Sequence, residues 1–121
     1  MKKLLLTLLC LPFLFSCGGN SQKENPNAVK FNQVGYYKSA DKFRCFAYTY
    51  SKDDEKQILQ HAKKQMNTSG KSTYVYYFSD YNAKNISSCY SFYEATELCL
   101  DLNWKYEFHT NGVSEAFRKN K

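Results

Sequence analysis

The spacing of hydrophobic and polar residues changes several times along the chain, and each change predicts an element. Residues 43–50 and 72–78 are rich in aromatic and β-compatible residues, which is typical of strands. Between them, Ile58, Leu59, Ala62 and Met66 are spaced as one apolar face of a helix. The second run has no polar alternation, which indicates a central strand covered on both faces. Together these segments predict a βαβ unit with a right-handed crossover.

Polar residues at each end set the expected limits of this first helix. Ser51 can cap its N-terminus, and Asp53, Asp54 and Glu55 place negative charge in the first turn, where the helix dipole favours it. Gly70 is the expected stop.

The C-terminal third repeats the alternation of helix and strand. Residues 79–91 are polar and turn-rich, and residues 92–102 carry a second apolar helical stripe. Trp104, Tyr106 and Phe108 then alternate with polar residues, which predicts a strand with one wet face. Asn111-Gly112 predicts a hairpin turn, because both residues accept positive φ, and residues 113–117 are the expected return strand.

These segments predict an α/β (α+β) fold. The expected arrangement is a small mixed sheet in the order β-α-β-α-β-β, with a C-terminal hairpin and two helices packed on it. A short extra strand within residues 29–36 is compatible with the pattern. Since two helices need not cover both faces of the sheet, one face is available for binding.

The first residues have a different character. Lys2 and Lys3 precede an apolar segment, residues 4–15, which matches the ~7–15 residues of a secretory signal and is shorter than the ~20 that span a bilayer. Ser16-Cys17 follows. This arrangement resembles the signal peptide of a bacterial lipoprotein, and an ordinary secretory signal with an incidental Cys17 is the alternative. The resemblance implies cleavage before Cys17, lipidation of its thiol and attachment to a membrane.

The expected domains are therefore a signal peptide (1–16), a lipidated cysteine with a flexible tether (17–28) and one small α/β domain (29–121). The Leu-Phe-Ser-Cys ending and the Tyr- and Asn-rich strands resemble small lipoproteins of Bacteroidota. Surface-exported members of that group tend to carry acidic clusters after the cysteine, and only Glu24 is present here. We therefore expect an outer-membrane lipoprotein that faces the periplasm.

Charge and cysteine content narrow the chemistry further. The net charge is +6, and it falls by two to +4 without Lys2 and Lys3. Nucleic acid is not an expected partner for a protein exported from the cytoplasm. Cys45, Cys89 and Cys99 remain after processing, either as one disulfide of undetermined pairing in an oxidising compartment or as buried thiols.

No motif predicts a cofactor, a metal or a catalytic centre. Gly70-Lys71-Ser72 is part of a phosphate-binding loop motif, but Gln65 occupies the position of its first glycine, and the flanking elements are in the wrong order. His61 and His109 are far apart in sequence, and no Cys-x-x-Cys pair is present.

The aromatic residues suggest the one candidate binding surface. The chain contains 11 tyrosines, and we consider a platform for glycans, peptides or a partner protein, with core packing as the other explanation. Its expected members are Tyr48, Tyr50, Tyr74, Tyr76 and Tyr106. The predicted function is a lipid-anchored envelope protein with a binding domain. The alternatives are an inhibitor or immunity protein against a toxin or wall hydrolase, and a small envelope hydrolase or thiol enzyme.

Overall fold

A computed structural model describes residues 26–66 and 71–121 of the chain. The predicted signal peptide, Cys17 and residues 18–25 of the predicted tether lie outside these ranges, as does Gly70. The strands are β1 Phe31–Lys38, β2 Arg44–Tyr50, β3 Thr73–Phe78, β4 Trp104–Thr110 and β5 Glu115–Lys119. The α-helices are α1 Glu55–Lys63 and α2 Phe92–Asp101, and a 3₁₀ helix spans Ile86–Ser88.

The five strands form one sheet in the order β1-β2-β3-β4-β5. β2 and β3 are parallel and are joined through α1, whereas the other neighbouring pairs are antiparallel. The α+β class predicted from the sequence is confirmed. The predicted order differs by β1, a full edge strand whose pairing shifts register between Gln33 and Gly35. That irregularity interrupts the period of two by which a strand is identified in a sequence.

The helix α1 covers one face of the sheet, which we call the α1 face. Ile58 and Ala62 are fully buried there, as the apolar stripe predicts. The N-cap is Asp54, whose carboxylate accepts a hydrogen bond from the backbone N–H of Gln57 at 3.1 Å. The predicted cap, Ser51, is therefore wrong, because its hydroxyl instead accepts a hydrogen bond from the backbone N–H of Lys30 at 2.8 Å.

The helix α2 packs on the opposite face, the α2 face. Ser91 caps its N-terminus by accepting from the backbone N–H of Glu94 at 3.1 Å, and Ala95 and Cys99 are buried against β2 and β3. Each face thus carries one helix, so the expectation of a face left bare by both helices is wrong. Within the described ranges, every helix is too short or too polar to cross a bilayer.

The strand β4 departs from the predicted alternation. Tyr77 pairs with Tyr106 and Phe78 pairs with Trp104, so Lys105 is an extra residue that shifts the register. Glu107, expected on a wet face, is only 4% exposed. The following turn contains Gly112 at φ 89°, so positive φ is present at the predicted glycine, although β5 begins two residues later than expected.

Candidate functional site

The five tyrosines of the predicted platform do not share a face. Tyr48 pairs with Tyr77 in the parallel register of β2 and β3, so the even-numbered residues of β2 lie on the same face as the odd-numbered residues of β3. Tyr48, Tyr50 and Tyr106 consequently belong to the α1 face, and Tyr74 and Tyr76 belong to the α2 face. The single-platform prediction is wrong, and Tyr76 and Tyr106 are almost completely buried.

A cleft lies instead beyond the carboxyl ends of β2 and β3. After Tyr50 the chain turns to α1 on one face, whereas after Phe78 it turns to the 3₁₀ helix and α2 on the other face. Two parallel neighbours whose connections leave on opposite faces have a crevice between those connections, which is where open α/β sheets usually bind ligands.

The cleft has a volume of about 450 Å³, within the ~300–1,000 Å³ range of small-ligand pockets. Three segments form its walls: the start of β1, the end of β2 and the residues that follow β3. The lining residues are Lys30, Phe31, Asn32, Val34, Thr49, Tyr50, Ser51, Ser79, Asp80 and Tyr81.

Reciprocal contacts hold the first two walls together. Lys30 donates its backbone N–H to the hydroxyl of Ser51, and Ser51 donates its own backbone N–H to the carbonyl of Lys30 at 3.0 Å. Behind this wall, the ring of Phe31 stacks on His61 of α1 with 3.9 Å between ring centroids. Since backbone pairing and ring packing both fix these residues, this side of the cleft is preformed.

The third wall is held by Tyr81. Its ring packs edge-on against Phe78 at 5.1 Å, and its hydroxyl donates a hydrogen bond to the carbonyl of Lys84 at 2.6 Å. Burial raises the pKa of Tyr81 to about 12, so the phenol is uncharged at neutral pH. The oxygen of this fixed hydroxyl can still accept a hydrogen bond.

Several polar side chains of the cleft have no partner within residues 26–66 and 71–121. The side chains of Asn32, Ser79 and Asp80 form no hydrogen bond with any described residue, and each is polar enough to bind a ligand directly. Lys30 and Asp80 are the charged residues of the lining, one of each sign. The cleft therefore offers an amide, a hydroxyl and a carboxylate to a ligand, and the charges of its lining residues cancel.

A second recess adjoins the cleft. It has a volume of about 220 Å³ and shares Asp80 and Tyr81 with the larger cleft. Its other lining residues are Phe78, Asn82, Leu102 and Asn103. We call these two neighbouring spaces, which share Asp80 and Tyr81 as lining residues, the groove.

Neither histidine lines the groove, and both are engaged in packing. On the α1 face, Nδ1 of His61 lies 2.8 Å from the hydroxyl of Tyr77, and burial lowers the pKa of His61. On the α2 face, His109 stacks on Tyr74 at 4.0 Å between ring centroids, and burial lowers its pKa also. Across the described residues there is no group of three or more His, Cys, Asp or Glu side chains that could hold a metal ion.

The three cysteines gather under α2. Cys45, Cys89 and Cys99 are buried free thiols, and a hydrogen bond with Cys99 is the largest of the effects that raise the pKa of Cys45. Burial raises the pKa of Cys89 as well. A nucleophilic cysteine requires the opposite shift, toward the thiolate. Of the pairings left open by the sequence, the contact between Cys45 and Cys99 favours that pair.

No family model, no curated protein and no solved structure matches the chain. Sequence reasoning missed the groove, although a signal was present: Ser51 and Ser79-Asp80 directly follow two segments predicted to be parallel strands. The carboxyl ends of such strands lie at one edge of the sheet, so these residues could have been placed together.

Proposed function

We propose that this chain is a lipid-anchored protein of the bacterial cell envelope whose α/β domain binds a small ligand. The groove beyond β2 and β3 is the proposed binding site. One observation carries the proposal: Asn32, Ser79 and Asp80 present exposed polar side chains, with no partner among the described residues, in a cleft whose β1 and β2 walls are held by backbone pairing and ring packing. Sites of this kind combine apolar walls with a few polar groups that orient the ligand.

The proposed anchor is consistent with the position of the groove. Gln57 of α1 accepts a hydrogen bond from the backbone N–H of Val29 and donates one to the carbonyl of Asn27. The chain therefore joins the domain next to Lys30, at the end of the sheet where the groove opens. An extended tether of residues 18–28 reaches on the order of 40 Å, so the groove would stay near the membrane surface.

The geometry gives a thiol enzyme little support. A Cys-His catalytic pair needs the two side chains within hydrogen-bonding distance. His61 and His109 instead contact tyrosines, and burial of Cys45 and Cys89 favours the protonated thiol. The groove therefore supports a binding function better than these cysteines and histidines support nucleophilic catalysis.

Metabolic labelling with a fatty acid tests the anchor. We expect the wild-type chain to incorporate label and the Cys17→Ala variant to lose it. The matched control is Cys10→Ala, which removes a thiol from the apolar segment and should keep the label. Absence of label from the wild type, or its persistence in Cys17→Ala, contradicts lipidation at Cys17.

Saturation-transfer NMR on the mature protein in nanodiscs tests the binding site. The probes are N,N′-diacetylchitobiose, trialanine and AMP, and empty nanodiscs report binding to lipid. At least one probe should give a protein-dependent signal that Ser79→Trp reduces at least fivefold by filling the cleft. Val113→Trp, at an exposed position outside the groove, should leave the signal unchanged. The absence of a protein-dependent signal from all three probes, or equal signals from Ser79→Trp and Val113→Trp, contradicts the proposed site.

A further inference from the structure

We infer that the groove takes a neutral, hydroxyl-rich ligand, namely an oligosaccharide. The inference rests on the proposed binding function and names its ligand class. It follows from the charge of the lining, the kind of unpaired groups, the aromatic rings beside them and the length of the groove.

The charge of the lining does not suit a strongly anionic ligand. Lys30 is the cation of the cleft, and Asp80 opposes it. Phosphate sites often use the N-terminus of a helix, but at α1 the carboxylate of Asp54 already accepts the hydrogen bond offered by Gln57. A nucleotide or polyphosphate in the cleft would therefore meet one ammonium group and one repelling carboxylate.

The unpaired groups match the hydroxyls of a sugar. Each sugar hydroxyl both donates and accepts, and the amide of Asn32 and the hydroxyl of Ser79 can do both in return. The carboxylate of Asp80 accepts from two donors, so it can bind two adjacent hydroxyls. Charge-assisted hydrogen bonds of this kind are the stronger ones.

Aromatic rings line the same space. Tyr50 ends β2 on one side of the cleft, and Tyr81 follows β3 on the other. The apolar body of a tyrosine can pack against the C–H face of a sugar ring while its hydroxyl remains hydrogen-bonded. Because the hydroxyl of Tyr81 is fixed on Lys84, its ring is held in position before any ligand arrives.

The length of the groove favours more than one sugar ring. The second recess begins at Asp80 and Tyr81, and it adds the amides of Asn82 and Asn103. A ligand long enough to extend from the larger cleft past Asp80 would meet these two amides, of which Asn103 already accepts a long hydrogen bond from Nζ of Lys105 at 3.4 Å. A single small polar molecule would leave this extension unused.

Isothermal titration of the mature protein in nanodiscs tests the inference, with chitotriose, maltotriose and xylotriose as probes. We expect at least one to bind. Asp80→Ala should weaken it about tenfold or more and Asn32→Ala about three- to tenfold, because hydrogen bonds to a charged group contribute more than those to a neutral amide. Asp41→Ala, a matched removal of an exposed carboxylate outside the groove, should not weaken binding. Asn103→Ala should weaken a trisaccharide more than the corresponding disaccharide.

The dependence on salt separates sugar binding from its competitors. Affinity for a neutral ligand should change little between 50 and 500 mM NaCl, whereas affinity for an anion falls as charges are screened. Suppose that AMP or trialanine binds, that Ser79→Trp weakens this binding, and that no trisaccharide binds. The inferred ligand class is then wrong, whereas the proposed binding function stands. If no probe of either experiment binds, both fail.

Discussion

Gly35 of β1 lies so close to Ile86 of the 3₁₀ helix that a Cβ atom at position 35 would stand 2.7 Å from Cγ1 of Ile86. Ile86 is fully buried, and the 3₁₀ helix packs directly on β1. The segment that begins with Ser79 and forms one wall of the groove leads into this contact. Because Gly35 has no side chain, the segment that forms this wall can pack closely against β1 through Ile86.

Gly35→Ala should destabilise the domain by about 1–3 kcal/mol, the usual cost of forcing extra volume into a packed core. The backbone of Gly35 does not have positive φ, so the expected cost comes from the clash. Urea unfolding of the wild type and variant measures it.

A double variant identifies the cause. Ile86→Ala removes Cγ1, so Gly35→Ala should cost less in that background than in the wild type, and the two changes should couple. Equal costs in both backgrounds, or a Gly35→Ala variant as stable as the wild type, contradict the close contact.

A second prediction concerns the pair Glu107 and Arg118. Oε1 of Glu107 accepts from Nε of Arg118 at 2.7 Å and lies 2.7 Å from Nη2. Arg118→Met leaves this buried carboxylate without its partner, and loss of such a charged hydrogen bond costs about 1.5–3 kcal/mol. We expect the lower part of that range, since the side chain of Arg118 is 57% exposed and water can solvate part of the charge.

Lys121→Met is the matched control, because it removes the same charge from an exposed position. It should change the urea midpoint little. A midpoint shift equal to that of Arg118→Met would attribute the loss to net charge instead of to the buried pair.

The sequence predicts the βαβ unit (β2, α1 and β3) better than it predicts the strand β4. The βαβ unit is predictable because Ile58 and Ala62 repeat at helical spacing and residues 73–78 show no polar alternation. Both patterns arise because the side chains at these positions are buried, and the period of burial identifies the element. The structure confirms a parallel strand pair joined by a helix. The helix ends at Lys63, however, so Met66 of the predicted stripe lies beyond it and is 36% exposed, and the cap is Asp54.

The register of β4 and the distribution of the tyrosines between the two faces could not be predicted in the same way. Lys105 shifts the pairing of β4 by one residue, and nothing local in Trp104-Lys105-Tyr106 distinguishes a bulge from regular alternation. The prediction of a single tyrosine platform was wrong for a related reason. The distribution of the tyrosines between the two faces depends on the register that pairs Tyr48 with Tyr77. Register is a property of two strands together, so one strand's sequence does not contain it.

A third prediction concerns the reactivity of the cysteines. In the folded protein, Cys45, Cys89 and Cys99 should react with iodoacetamide about tenfold or more slowly than in urea, because the thiolate is the reactive form and the native thiols are buried. Cys89, which is 8% exposed, should react first. Mass spectrometry of timed samples measures each site, and prompt native modification of Cys45 contradicts the packing.

The same samples test the pairing. If the compartment oxidises two of the thiols, peptide mapping should place the bond between Cys45 and Cys99. A bond between Cys89 and Cys99 would contradict the contact described here.

The last prediction concerns pH. Burial lowers the pKa values of His61 and His109 below the ordinary 6.5, and Lys64 adds to the effect on His61. The unfolded chain then binds protons before the folded chain does as the pH falls. Stability should therefore be constant with respect to these groups above about pH 7.5 and should fall as the pH drops below 6.5, until the folded histidines are protonated.

Urea midpoints at pH 8, 7, 6 and 5.5 measure this loss, in a range above the titration of ordinary carboxylates. His61→Asn removes one titrating group and should flatten the decline between pH 7 and 5.5, even if the variant is less stable throughout. His61→Asn combined with His109→Asn should flatten it further. A decline as steep in the double variant as in the wild type would show that neither histidine is held in its neutral form by the fold.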